Sequence, residues 1–97
     1  MISTYDNDNN SDSPFIFILI GRGYLDKGGD GVELHVMLQA PDDDSAVRMT
    51  LNALSEEGFL EADLDQIGTI TEPPVDEPHA SAYQGALEGE VAIIRFN

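Results

Sequence analysis

Two apolar patterns at the start of the chain predict a β-hairpin. Residues 15–20 form a continuous β-branched and aromatic run, too short for a globular helix and typical of a strand buried on both faces. Residues 32–40 alternate strictly, which places Val32, Leu34, Val36, Leu38 and Ala40 on one face of a second strand. The glycine- and aspartate-rich residues 25–31 supply turn chemistry between them, so the two strands are expected to pair antiparallel.

The pattern then changes to a helical one. Asp42 or Asp43 can cap the free backbone N–H groups of a first helix. Its apolar stripe is formed by Val47, Leu51 and Leu54, at spacings of four and three residues. Gly58 suits the left-handed residue that ends many helices, so the helix is expected to stop there.

The last part of the chain predicts strand, helix and strand. Residues 60–65 alternate between apolar and acidic positions, and the alternation slips near residues 66–67, which indicates a β-bulge or bend. Pro78 suits the first turn of a second helix over residues 79–88, which Gly89 ends. Residues 91–96 then read as a strand that is apolar on both faces except at Arg95.

These elements predict one α+β domain over residues 14–97 with the order β-β-α-β-α-β. We expect a two-layer sandwich, with a mixed four-stranded sheet and both helices on one face. The alternative is that the helices divide between the two faces. Residues 1–13 are too polar to offset their ordering entropy and are expected to form a disordered tail.

The net negative charge of the chain excludes some classes of binding partner. The 97 residues include 19 acidic and only 4 basic side chains, a formal net charge of -15. Direct binding to nucleic-acid phosphates or to anionic membrane surfaces is therefore excluded on electrostatic grounds. The chain has no cysteine, no apolar run of membrane-spanning length and no signal-peptide pattern at its start, so we expect a soluble cytoplasmic protein.

The acidity has two explanations. Acidic surfaces keep proteins soluble, and proteins from high-salt habitats carry such an excess routinely. A strongly negative domain also attracts basic protein surfaces and speeds their association. Helix caps and turns explain some of the acids, but nothing in the predicted fold explains Glu56 and Glu57 at the negative end of a helix dipole.

The functional prediction is a small, acidic, non-enzymatic binding or regulatory module that docks a protein partner, and the negative charge permits that partner to be basic. If both helices lie on one face, the opposite face of the second strand is open and partly apolar, which would also allow homodimerisation. The predicted contact residues are Glu33, His35 and Met37 on that open face, and Glu61, Asp63 and Asp65 for the basic partner.

The alternative is a small ligand-binding domain or enzyme with its site at His79, Tyr83 and the loop over residues 72–78. No catalytic residue, cofactor or metal site is expected. Residues 63–71 resemble part of an EF-hand loop, but Ile67 and Pro74 stand where two oxygen ligands are required. A second fragment, residues 26–31, fails in the same way, and the two histidines lack a metal-binding spacing.

Overall fold

A computed structural model describes residues 15–96, and the tail predicted over residues 1–13 lies outside this range. The chain forms β1 (Phe15–Tyr24), β2 (Val32–Ala40), α1 (Asp43–Glu56), β3 (Glu61–Thr69), α2 (His79–Leu87) and β4 (Ala92–Phe96). The predicted α+β class and the order β-β-α-β-α-β are confirmed. Neither of these two helices is long and apolar enough to cross a membrane.

The four strands form one open sheet in the order β3-β1-β2-β4. Every neighbouring pair is antiparallel, so the prediction of a mixed sheet was wrong. The reason lies in the first crossover. Helix α1 carries the chain from β2 past β1 to the far edge, so β3 runs parallel to β2 but pairs with β1, which runs the other way.

The two helices pack on opposite faces of the sheet, which corrects the prediction of two layers with both helices on one face. On the α1 face, Leu54 of α1 packs in a buried cluster with Leu19, Leu34, Val36 and Leu38 of the sheet. On the α2 face, Ala82 and Ala86 of α2 cover Ile16, Met37 and Ile94 of the sheet. Strand β1 is apolar on both sides because each side lies under a helix.

Both ends of α1 follow from local sequence. The Asp42 side chain accepts a hydrogen bond of 2.8 Å from the backbone N–H of Ser45. At the other end Gly58 has a φ of 100°, and the N–H of Phe59 donates to the carbonyl of Leu54 at 3.0 Å. This is the Schellman ending that the position of Gly58 predicts.

The cap at Asp42 gives the stability of α1 a pH dependence. The backbone N–H and hydroxyl of Ser45 hold the pKa of Asp42 below its ordinary value of 3.8, with a smaller contribution from Arg48. The stabilisation is therefore present above that ordinary pKa and is lost as the pH falls through the lowered one. We expect Asp42→Ala to have a lower unfolding midpoint than the wild type at neutral pH. The difference between the two midpoints should shrink as the pH falls into the acid range.

Thermal unfolding over a pH series measures this difference. Asp42→Asn is the matched control, because asparagine caps a helix about as well as aspartate and does not titrate. A wild-type advantage over Asp42→Ala that stays constant from neutral pH into acid would contradict the assignment.

The structure explains the position of Glu57, which the predicted fold leaves unexplained, by an ion pair with Arg95 of β4. The Glu57 carboxylate accepts a hydrogen bond of 3.2 Å from the guanidinium of Arg95, and that guanidinium lies 4.9 Å from the ring centre of Phe59. A cation–π contact and an ion pair thus connect the end of α1 to an edge strand. The Arg95 cation also offsets the unfavourable position of Glu57 in the helix dipole.

Candidate functional site

The predicted basic-partner residues lie along one edge of the sheet. Strand β3 is an edge strand, paired on one side with β1 and with no other strand of residues 15–96 on its outer side. Along β3 only Ala62 and Leu64 are partly buried, and they pack against the α1-face cluster. We call Glu61, Asp63 and Asp65 on this strand the acidic edge.

A β-bulge bends the acidic edge at Asp65. Ile20 on β1 pairs with Gln66, whereas the next residue, Gly21, pairs with Leu64, so Asp65 has no partner on β1. The predicted break in alternation is therefore real and lies one residue before residues 66–67. Such bulges twist an edge strand and redirect its side chains.

The carboxylates of the acidic edge form no ion pair within 4.0 Å with a lysine or arginine of residues 15–96. All acidic side chains between positions 15 and 96 are exposed, and within that range only Glu57 has a lysine or arginine nitrogen within 4.0 Å. Arg22 lies opposite Asp63 in the β1–β3 register, but its guanidinium donates to the carbonyl of Gly31 at 3.1 Å. No direct ion pair with a lysine or arginine of residues 15–96 thus neutralises the negative charge at this edge.

An apolar pocket adjoins the start of β3 on the α1 face. Its volume is about 160 Å³, and its lining residues come from the end of α1 and the beginning of β3: Leu51, Leu54, Ser55, Phe59, Leu60, Glu61 and Ala62. Leu60 is 65% exposed and Leu51 is 42% exposed. The acidic edge therefore has an accessible apolar surface beside it.

A second cluster lies on the α2 face, at the start of α2. Nδ1 of His35 on β2 lies 2.9 Å from Nε2 of His79, the first residue of α2. The Phe96 ring packs against both imidazoles, with centroid distances of 4.6 Å to His35 and 6.1 Å to His79. On the other side of the His35 ring, Nε2 lies 3.4 Å from a carboxylate oxygen of Glu33. We call these four residues the histidine cluster.

The tertiary structure rearranges the predicted sites. Met37 is only 1% exposed because α2 covers it, so it offers no surface to a partner. Glu33 stays exposed, and His35 is partly buried against His79. The contact brings His35, predicted for the partner surface, together with His79, predicted for the alternative ligand site. Tyr83 is partly buried and packs against the α2-face cluster instead.

Sequence reasoning missed Phe96 and the pocket. Phe96 carried a weak signal, as an aromatic residue at the end of the last strand, but nothing local places it beside two histidines. The pocket carried one as well, because two large apolar residues, Phe59 and Leu60, follow directly after Gly58.

The acidic edge and the histidine cluster are thus the two candidate sites of the domain. No known protein family, curated protein or solved structure matches this chain.

Proposed function

We propose that this protein is a non-enzymatic binding module that docks a basic segment of a partner protein on the acidic edge. The observation that carries the proposal is an unpaired edge strand with Glu61, Asp63 and Asp65 exposed on it and no cation within 4.0 Å of them among residues 15–96. Opposite charges on the two partners would steer their encounter and fix their register.

The form of the edge favours an extended partner segment. An edge strand presents backbone N–H and C=O groups that can pair with an added strand, and alternate side chains of that strand then give specificity. Glu61 and Asp63 lie towards the α2 face, and Ala62 and Leu64 towards the α1 face. A matching segment would alternate basic side chains with apolar ones, and an apolar side chain could enter the pocket beside Leu60.

The same features disfavour self-association. A second copy added along β3 would bring the carboxylates of two acidic edges together, and like charges across paired strands are destabilising. The face that we expected to be open for homodimerisation is covered by α2. A basic partner therefore fits this surface better than a second copy of the chain.

The cytoplasm is the compartment that we propose for this module. The chain has no cysteine, so its fold depends on no disulfide and tolerates a reducing environment. Finding the protein in an oxidising compartment by fractionation would contradict this assignment.

The proposed docking can be measured by calorimetry and by amide NMR with a synthetic peptide that alternates lysine and valine. The triple variant Glu61→Gln, Asp63→Asn, Asp65→Asn is expected to weaken binding about tenfold, since three surface ion pairs of roughly 0.5 kcal/mol each are lost. The control triple Asp26→Asn, Asp30→Asn, Glu72→Gln removes equal charge from other exposed positions and is expected to change the affinity about twofold at most.

Two outcomes would overturn the proposal. Equal weakening by both triple variants would mean that the peptide senses net charge, as expected for a surface that serves solubility alone. Undiminished binding of a peptide whose backbone amides are N-methylated, without shifts in the β3 amides, would exclude strand addition.

A further inference from the structure

The histidine cluster joins two nitrogen ligands that are far apart in the sequence. His35 lies on β2 and His79 begins α2, yet their facing nitrogens are 2.9 Å apart. Their rings are tilted by 59° with centroids 5.1 Å apart, so the two imidazoles meet through their nitrogens rather than by stacking. This contact fixes the start of α2 against the sheet.

The Glu33 carboxylate favours one tautomer of His35, whose Nδ1 faces His79. This carboxylate lies 3.4 Å from Nε2 of His35 and accepts a proton but cannot donate one when ionised. The proton of a neutral His35 is therefore favoured on Nε2, which leaves the lone pair of Nδ1 directed at Nε2 of His79. The two nitrogens can share a proton carried by His79, or, after a small rotation of the rings, both can direct their lone pairs at a metal ion that lies beside the line joining them.

The distance suits a metal ion. At metal–nitrogen distances of about 2.0–2.1 Å, nitrogens 2.9 Å apart subtend an angle of about 90° at the metal. Square-planar and tetragonal sites have this angle, and tetrahedral zinc, with a ligand angle of about 109°, fits once the two nitrogens move apart by about 0.4 Å. Imidazole ligands favour zinc, copper and nickel over magnesium and calcium. Metal-binding histidines usually have a carboxylate beside their remote nitrogen, and Glu33 occupies that place, with a carboxylate oxygen 3.4 Å from Nε2 of His35.

We propose that His35 and His79 bind a divalent transition-metal ion, with Glu33 as the residue that positions the His35 ring. Within residues 15–96 no three histidine, aspartate or glutamate side chains converge on one point, so water would complete the coordination. The site is therefore an exchangeable one rather than a closed structural centre.

The surroundings of the site carry opposing charges. His79 begins α2, where the positive end of the helix dipole disfavours a cation. Glu77 offsets this, since its carboxylate accepts hydrogen bonds from the backbone N–H of Ser81 at 3.0 Å and from its hydroxyl at 2.8 Å. The Phe96 ring packs against both imidazoles and supplies an apolar neighbour to the site.

Thermal unfolding with ZnCl2, compared with equal MgCl2, tests the site on the complete chain. Zinc at a concentration about a hundredfold above its Kd is expected to raise the unfolding midpoint by at least about 5 °C more than magnesium does. Magnesium is expected to bind the acidic surface but not the two histidines. The histidine ring signals should shift in NMR, and zinc should release protons in weak buffer. His79→Ala is expected to remove the difference between zinc and magnesium.

Glu33→Gln separates a positioning role from a general effect of charge. It is expected to weaken zinc binding by about 10–100-fold. Glu56→Gln removes the same charge from an exposed position on α1 and is expected to leave zinc affinity nearly unchanged. Equal stabilisation of the wild type by zinc and magnesium, or an undiminished zinc effect in His79→Ala, would overturn the proposal. This test is independent of peptide docking on β3, so each proposal can fail alone.

Discussion

Replacing Leu19 with alanine is expected to lower the free energy of unfolding by about 2–5 kcal/mol, the largest effect expected of a single substitution here. Leu19 is fully buried in the middle of β1, under α1, within the α1-face cluster. Truncation removes buried methyl groups and leaves a cavity that rigid neighbours on β2 cannot fill. Small domains have a total stability of about 5–15 kcal/mol, so the loss would be a large part of it.

Chemical denaturation followed by circular dichroism measures this loss. Leu60→Ala is the matched control, because the same atoms are removed from a side chain that is 65% exposed, and a change within about 0.5 kcal/mol is expected. Similar losses in both variants would contradict the placement of Leu19 in the core.

Gly21→Ala is expected to destabilise the domain by about 1–3 kcal/mol or more, through the pairing of β1 with β3. A Cβ atom at Gly21 would overlap the carbonyl oxygen of Asp63 and lie 2.9 Å from Cα of Leu64. These are backbone atoms beside the bulge, so β3 would have to move away as a whole. The acidic edge would move with it.

Gly68→Ala is the control for Gly21→Ala. Gly68 lies on β3 itself, and a Cβ atom there would meet nothing within 4 Å, so a change within about 0.5 kcal/mol is expected. Amide NMR should locate the changes of Gly21→Ala in β1 and β3. A stable Gly21→Ala variant with unchanged β3 signals would show that the two strands are not so closely packed.

Local sequence was sufficient for the elements and their ends. Asp42 and Gly58 mark the two ends of α1 because capping and a left-handed terminator act within a few residues. The alternation over residues 60–65 and its break predict β3 and its bulge, because side chains of a strand alternate between faces with a period of two. The order β-β-α-β-α-β follows from these local signals.

The location of the acidic residues was predictable only in part. Alternation placed Glu61 and Asp63 on one side of a strand, but an edge position depends on the strand order, which no local pattern encodes. Glu57 had no explanation until β4 brought Arg95 to it, because the partners are 38 residues apart. The role of a charge thus depends on neighbours that only the folded chain supplies.

By itself the sequence determined the elements, their caps and the excess of negative charge, because these depend on contacts within one element or on composition. Tertiary structure decided the antiparallel strand order, the division of the helices between two faces and the burial of Met37. It also brought His35 and His79 together across 44 residues. The apolar pattern of β1 requires a cover on both faces, but long-range packing decides which helix supplies each one.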